Sequence, residues 1–236
     1  MTELLRVTNL IAGYGKVVVL HGVEIHVDEG EVVAVIGPKN AGKSSLLKAI
    51  VGLLHPVSGS VRFAGAEIAG RPAYAVARKG ISYVPEGGGP WADMTVRQNL
   101  TMGAYTKRDH LITAILGEIY DLFPILKELQ DAKARDLTGA QQEMVAIGRG
   151  LALRPKLLML DEPSSGLAPR LIDEIYSHLQ KLKTLGQTVL LVEQDIPQAL
   201  ELADRGYVLE EGAVVLRGRG AELASSAHIQ KRYLRL

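Results

Sequence analysis

Gly37-Pro38-Lys39-Asn40-Ala41-Gly42-Lys43-Ser44 fits the pattern G-x-x-x-x-G-K-[ST], and the chemistry of that pattern is the holding of a phosphate chain. Successive backbone N–H groups of such a loop, backed by the N-terminus of a following helix, can surround a β-phosphate. Lys43 supplies a cation for the β and γ oxygens, Ser44 a hydroxyl for Mg²⁺, and Ser45 completes the candidate nucleotide contacts. A second pair, Asp161-Glu162, ends the bare apolar run Leu157-Leu158-Met159-Leu160. Carboxylates at the end of such a strand lie where ligands bind in open α/β sheets. Asp161 is expected in the metal shell, and Glu162 is expected to polarise an attacking water. A chance glycine turn and a carboxylate pair that only caps the next element are the plainer readings. Each loses ground because the other motif is present.

The surrounding pattern supplies the elements that would place these groups. Glu31 to Ile36 is a short β-branched run of the kind buried on both faces of a parallel sheet, and it ends at Gly37. Leu46, Leu47, Ile50, Val51 and Leu54 follow at helical spacing, up to the stop at His55-Pro56. Upstream, Leu4–Leu10 and Val17–Val27 flank a Gly-Tyr-Gly turn and predict an antiparallel β layer. A strand near 61–63, a short helix opened by Pro72 and a strand at Ile81–Val84 come next. From Thr95 to Leu153 the pattern is helical, with Leu111, Ile112, Ile115, Ile119, Leu122 and Phe123 on one stripe and Met144, Ile147 and Leu151 on another. Trp91 is expected to pack within this helical part. The α/β pattern resumes at Leu157–Leu160, continues through a helix carrying Leu171, Ile172, Ile175, Leu179 and Leu182 to the strand Thr188–Val192, and ends in a hairpin turning at Glu211-Gly212. The basic tail from Lys231 to Arg235 reads as a solvated helix face.

Leu137-Thr138-Gly139-Ala140-Gln141-Gln142 stands before a predicted helix and upstream of Asp161-Glu162. A threonine hydroxyl and glycine-loosened amides at a helix N-terminus can cradle a γ-phosphate. Read alone, the hexamer is better explained as an ordinary capped helix start. Beside the other two motifs it resembles the LSGGQ signature of the ABC ATPases, and the resemblance spans essentially the whole chain. Val84-Pro85-Glu86-Gly87, Gly166-Leu167-Ala168-Pro169, Leu191-Val192-Glu193-Gln194 and the stretch from Ala203 to Glu210 are similar to the ATP-binding subunits of branched-chain amino-acid importers.

The resemblance implies an α/β fold: a P-loop NTPase core with a parallel sheet, an antiparallel β layer and an inserted α-helical subdomain. The expected division is 1–94 and 155–236 for the core and 95–154 for the signature subdomain. ATP and Mg²⁺ are the implied cofactors. Thr138, Gly139, Ala140 and Gln141 would complete the nucleotide site of another chain, so that each ATP lies between two subunits, and the loop from Ser165 to Pro169 would touch the opposite site. Tyr14 occupies the place of the aromatic that stacks on adenine, although a surface turn tyrosine is the plainer reading. Glu86, at the place of a loop glutamine, would join the metal shell. Gln194, at the place of a switch histidine, would act with Glu162 and Lys43 in catalysis. Because an amide cannot shuttle a proton, Glu162 would carry the base role alone.

Two further departures bear on activity. Asn40 stands where glycine is usual, at a position expected to need positive φ, which asparagine tolerates best after glycine. Ala140 replaces the second signature glycine and is expected to project a methyl group toward the γ-phosphate. These keep open a poorly hydrolysing half of a heterodimer beside the leading expectation, an importer motor. The implied partners are a second ATP-binding subunit, identical or related, transmembrane permease subunits and, indirectly, a solute-binding protein. The chain is expected at the inner face of the cell membrane, cytoplasmic and peripheral.

Composition agrees. Over 236 residues, 47% apolar and 22% charged residues match a packed globular chain rather than a disordered one. A net charge of +1 argues against nucleic acid as a partner. The absence of cysteine excludes disulfides and thiol chemistry. No stretch reaches the roughly 18 to 20 apolar residues of a membrane helix, and the start MTELLRVTNL lacks the basic segment and apolar core of a signal peptide.

Overall fold

A computed structural model describes residues 2–234. Two long strands, β1 (Glu3–Tyr14) and β2 (Val17–Asp28), pair antiparallel through the tight Gly15-Lys16 turn and share a sheet with β4 (Pro56–Phe63) and β5 (Ala66–Glu67), in the order β2-β1-β4-β5. The second sheet has the order β10-β9-β3-β8-β7-β6. It comprises β3 (Val32–Ile36), β6 (Ile81–Val84), β7 (Leu157–Asp161), β8 (Thr188–Glu193), β9 (Arg205–Glu210) and β10 (Ala213–Arg219). All its pairings are parallel except β9 with β10. That hairpin turns at Glu211 and Gly212, both at positive φ, as a two-residue turn matched to strand twist requires.

Strand β3 is buried at all five positions because the sheet is covered on both faces. Val33 and Val35 face β1, β2 and the helix α1 (Lys43–Ile50), whereas Val32, Ala34 and Ile36 face a separate, mainly helical core. Between β6 and β7 lie α3 (Val96–Gly103), α4 (Asp109–Leu122), α5 (Pro124–Glu128) and α6 (Gly139–Ala152). The short α2 (Ala73–Arg78) precedes β6, with Pro72 at its N-cap. Helices α7 (Pro169–Thr184) and α8 (Ile196–Leu202) cross between strands on the helical side. The stripe expected on α4 is centred on Ile115, Leu116, Ile119 and Leu122, with Leu111 and Ile112 only partly buried.

Two expectations need correcting. Helix α1 stops at Ile50 instead of running to Leu54, because Gly52 takes φ 79° and its backbone passes so close to Arg71 that a Cβ would lie 2.0 Å from that carbonyl oxygen. Leu53 is consequently exposed, while Leu54 reaches the core from a turn. Trp91 is half exposed rather than packed inside. Its ring lies 4.6 Å from the guanidinium of Arg149 on α6, a cation–π contact, and Arg149 also donates to Gly88 O at 2.9 Å. In the basic tail, Lys231 and Arg232 are exposed as expected, with Arg232 paired to Glu210, and Arg235 lies outside the described residues.

The segment leading from β6 into α3 is tied down by Asn99, which is fully buried. Its Oδ1 accepts from Trp91 N at 2.8 Å, and its Nδ2 donates to Trp91 O at 3.2 Å and Thr95 O at 3.0 Å. Truncation would strand these backbone groups away from water. Asn99→Ala is therefore expected to lower unfolding free energy by about 2 to 3 kcal/mol, the scale of a buried polar group left unpaired, as measured by urea denaturation.

Candidate active site

The sheet order brings the ends of β3, β6, β7 and β8 to one edge, and the chemically equipped residues collect there. The turn out of β3 is tight: a Cβ on Gly37 would lie 2.0 Å from Leu209 O, so only glycine fits. Pro38, Lys39 and Asn40 are exposed on the crest of the loop, while Ala41 is buried and its carbonyl accepts from Gly212 N at 3.0 Å. Asn40 takes φ 66°, the left-handed conformation anticipated from its type. Gly42, at φ 102°, caps α1.

Lys43 begins α1 and is only 3% exposed. Its ammonium donates to Gly37 O at 2.9 Å and Pro38 O at 3.1 Å and pairs with Glu162 Oε1 at 3.1 Å. Ser44 Oγ donates to Asp161 Oδ1 at 2.8 Å. Ser45 is buried, and its hydroxyl lies 3.4 Å from that of Tyr14, whose ring is 50% exposed beside the loop. Lys39, Asn40, Gly42, Lys43, Ser44, Ser45, Glu86, Glu162 and Gln194 line one open cleft.

Glu162 leaves β7 at φ 51°, a strained conformation for a non-glycine residue. Two hydrogen bonds hold it: its N–H donates to Val192 O of β8 at 2.9 Å, and its carbonyl accepts from Ser165 N at 3.0 Å. Its side chain joins Lys43 on one oxygen and accepts from Gln194 Nε2 on the other. Glu86 lies on the cleft wall, where its carboxylate accepts from Ser165 Oγ at 3.0 Å.

Two groups escaped sequence reasoning. Tyr83 on β6 donates its hydroxyl to Asp161 Oδ2 at 2.7 Å. Burial raises the Asp161 carboxyl, while the bonds from Tyr83 and Ser44 oppose that rise. Burial, then the bond to Asp161, pushes the Tyr83 phenol far up, so it stays a donor. Glu193, 1% exposed, accepts from Ser164 N and Gln194 N, both at 3.1 Å, and burial raises it too. A carboxylate ending the apolar strand TVLLVE was a usable signal. Tyr83 gave none, because its partner lies 78 positions away.

The Ser44 hydroxyl and Asp161 carboxylate form an adjacent pair of hard oxygen donors, which suits Mg²⁺ shared with phosphates and water. Among the described residues no cluster of three or more His, Cys, Asp or Glu side chains could hold a metal alone, and a phosphate-shared Mg²⁺ needs only one or two carboxylates.

Thr138, Gly139, Ala140 and Gln141 are not on the cleft. They open α6, where Thr138 accepts from Gln141 N and Gln141 accepts from Thr138 N, a reciprocal cap. Ala140 corrects an expectation: it is 1% exposed, with its methyl group inside its own chain, and Gly139 is the exposed residue.

A model of the ABC transporter family matches residues 20–165. The chain is 44% identical over 94% of its length to BraG of Pseudomonas aeruginosa, a high-affinity branched-chain amino acid transport ATP-binding protein, of which it covers 95%. The chain belongs to the ABC transporter family. A second ABC relative, LivF of Archaeoglobus fulgidus, a probable branched-chain amino acid transport ATP-binding protein, is 35% identical over 97% of each chain. An ATP-binding cassette of an ABC transporter, solved in its ADP conformation, matches with a TM-score of 0.87 at 30% identity over 99% of both chains. The expected α/β cassette, ATP binding and ATPase activity therefore stand for this ABC subunit.

Lys43→Ala is expected to abolish tight ATP binding in calorimetry with Mg²⁺, because it removes the buried cation of the phosphate loop. Tyr14→Ala should weaken ATP by roughly 1 to 2 kcal/mol if the half-exposed ring stacks on the base, whereas Tyr14→Phe, which forfeits only the long contact to Ser45, should be nearly silent.

Proposed function

We propose that this ABC subunit is the motor of an importer for branched-chain or other hydrophobic amino acids. The identity with BraG across nearly the whole chain carries the reading. Two such subunits, identical or related, would close on two ATP molecules. Residues 95–154 would act as the signature subdomain, set against a core of 1–94 and 155–236. The exposed α6 cap, with Thr138, Gly139 and Gln141, would reach the γ-phosphate held by the opposite phosphate loop.

Within each site Lys43 would exchange its carbonyl and carboxylate partners for the β and γ oxygens, and Tyr14 would cover the base. Ser44 and Asp161 would hold Mg²⁺, with Glu86 near the shell. The ion supplies charge neutralisation at the phosphates. Glu162 would accept the proton of the attacking water, and Gln194, already bonded to it, would keep its carboxylate aimed. Against the poorly hydrolysing alternative stand the left-handed backbone of Asn40, expected at its place, and the burial of Ala140 within its own chain.

No helix of the described residues is long and apolar enough to cross a membrane, so attachment would come through permease subunits at the inner, cytoplasmic face, with a solute-binding protein engaged only through them. The apolar recess formed by Val51, Leu53, Val76, Tyr105 and Leu153 is a fitting seat for such a subunit.

Glu162→Gln tests the chemistry, since it removes a carboxylate while keeping size and polarity and leaving one oxygen to accept from Lys43 or Gln194. The variant should bind Mg-ATP yet hydrolyse it at least ~100-fold more slowly, the scale of a lost general base. Trapped ATP should then stabilise a dimer, seen by light scattering with ATP and absent with ADP. Full hydrolysis would refute the assignment of Glu162. In the assembled transporter the same substitution should stop uptake of labelled leucine, and normal import of unrelated solutes with none of leucine, isoleucine or valine would refute the substrate class.

A further inference from the structure

Asp161 is a buried carboxylate with two distinct neighbours, one on each oxygen: Ser44 Oγ on Oδ1 at 2.8 Å and Tyr83 OH on Oδ2 at 2.7 Å. Two donors on separate oxygens fix both the position and the plane of a carboxylate, which a single hydrogen bond cannot do. The phenol is itself held rigidly. Tyr83 lies on β6 in register with Met159 of β7, two positions before Asp161, so ring and carboxylate emerge on the same face of the sheet. There the ring packs against the core that contains Met159 and the apolar side of α1. Since α1 also carries Ser44, one packed layer sets all three groups.

We propose that Tyr83 is a positioning residue for Asp161, holding one carboxylate oxygen so that the other is presented, beside Ser44, to the divalent cation that accompanies the nucleotide. The inference rests on the reading that Ser44 and Asp161 are the cation's protein ligands. Tyr83 touches neither nucleotide nor cation and acts only through Asp161. The geometry also joins the metal pair to the loop after β6: Glu86 follows Tyr83 by three residues and is bonded to Ser165 beyond β7, so strand β6 aligns Asp161 and delivers Glu86 to the cleft wall.

The test compares ATP affinity with excess Mg²⁺ and with EDTA, by calorimetry, for the intact chain, Tyr83→Phe and Asp161→Asn, together with direct Mn²⁺ binding in the presence of nucleotide followed by electron paramagnetic resonance. Tyr83→Phe keeps the ring and its packing and loses only the hydroxyl. Its affinity in EDTA should stay within twofold of the parent, while the Mg²⁺ or Mn²⁺ concentration for half-saturation should rise roughly tenfold, the range of one hydrogen bond to a charged group. At saturating Mg²⁺ most of kcat should return. An unchanged metal requirement in Tyr83→Phe, with Asp161→Asn impaired, would overturn the proposal and leave the metal reading intact. Equal loss of affinity with and without metal would mean a merely structural tyrosine and would overturn it too. An unchanged metal requirement in Asp161→Asn would sink the metal reading itself.

Discussion

A lysine ammonium almost sealed from solvent governs this structure. At 3% exposure the Lys43 side chain needs partners, since an unpaired buried ion costs several kcal/mol. Two carbonyls of its own loop and the carboxylate of Glu162 supply them. Much of the local architecture follows from that requirement. The loop curls so that the carbonyls of Gly37 and Pro38 meet the ammonium, with left-handed steps at Asn40 and Gly42. Strand β7 must end beside α1, and Glu162 must accept an unfavourable backbone conformation to point back at the cation. On the proposed reading of the cleft, nucleotide would enter a site whose charges are already paired, and phosphate oxygens would have to outcompete protein oxygens for Lys43.

The double cover of the parallel sheet makes this arrangement stiff. Alternate residues of β3 belong to different cores, one shared with the antiparallel layer and α1, the other with the helices. A shift of β3 would disturb both. The groups on its C-terminal edge are consequently fixed relative to one another, and α6 packs on the helical side of the same sheet, with Gly150 close to Val84 and Leu158 and with Arg149 in contact with Gly88 and Trp91.

Legibility in the sequence followed the distance over which the cause operates. The loop from Gly37 to Ser44 is eight consecutive residues of recognisable types, so its pattern, its flanking strand and helix, and the positive φ of Asn40 could all be read directly. The carboxylates at the end of β7 needed only one strand to be recognised. What stayed hidden depends on neighbours remote in the chain. The end of α1 is set by Arg71 crowding Gly52, the hydroxyl of Tyr83 matters only because β6 and β7 lie side by side, and the direction of the Ala140 methyl group is decided by how α6 packs. A residue type announces a capacity; tertiary packing decides where it is spent.

The contact between Trp91 and Arg149 has an optical consequence. The chain contains a single tryptophan, and that indole lies between the loop that follows Glu86 and the helix α6. A cation over an indole face and partial solvent exposure both affect its emission, and both would change if α6 tilted relative to the sheet. All tryptophan fluorescence of this subunit therefore originates at one contact between α6 and the loop after β6, so any change at that contact would be visible in the unlabelled protein.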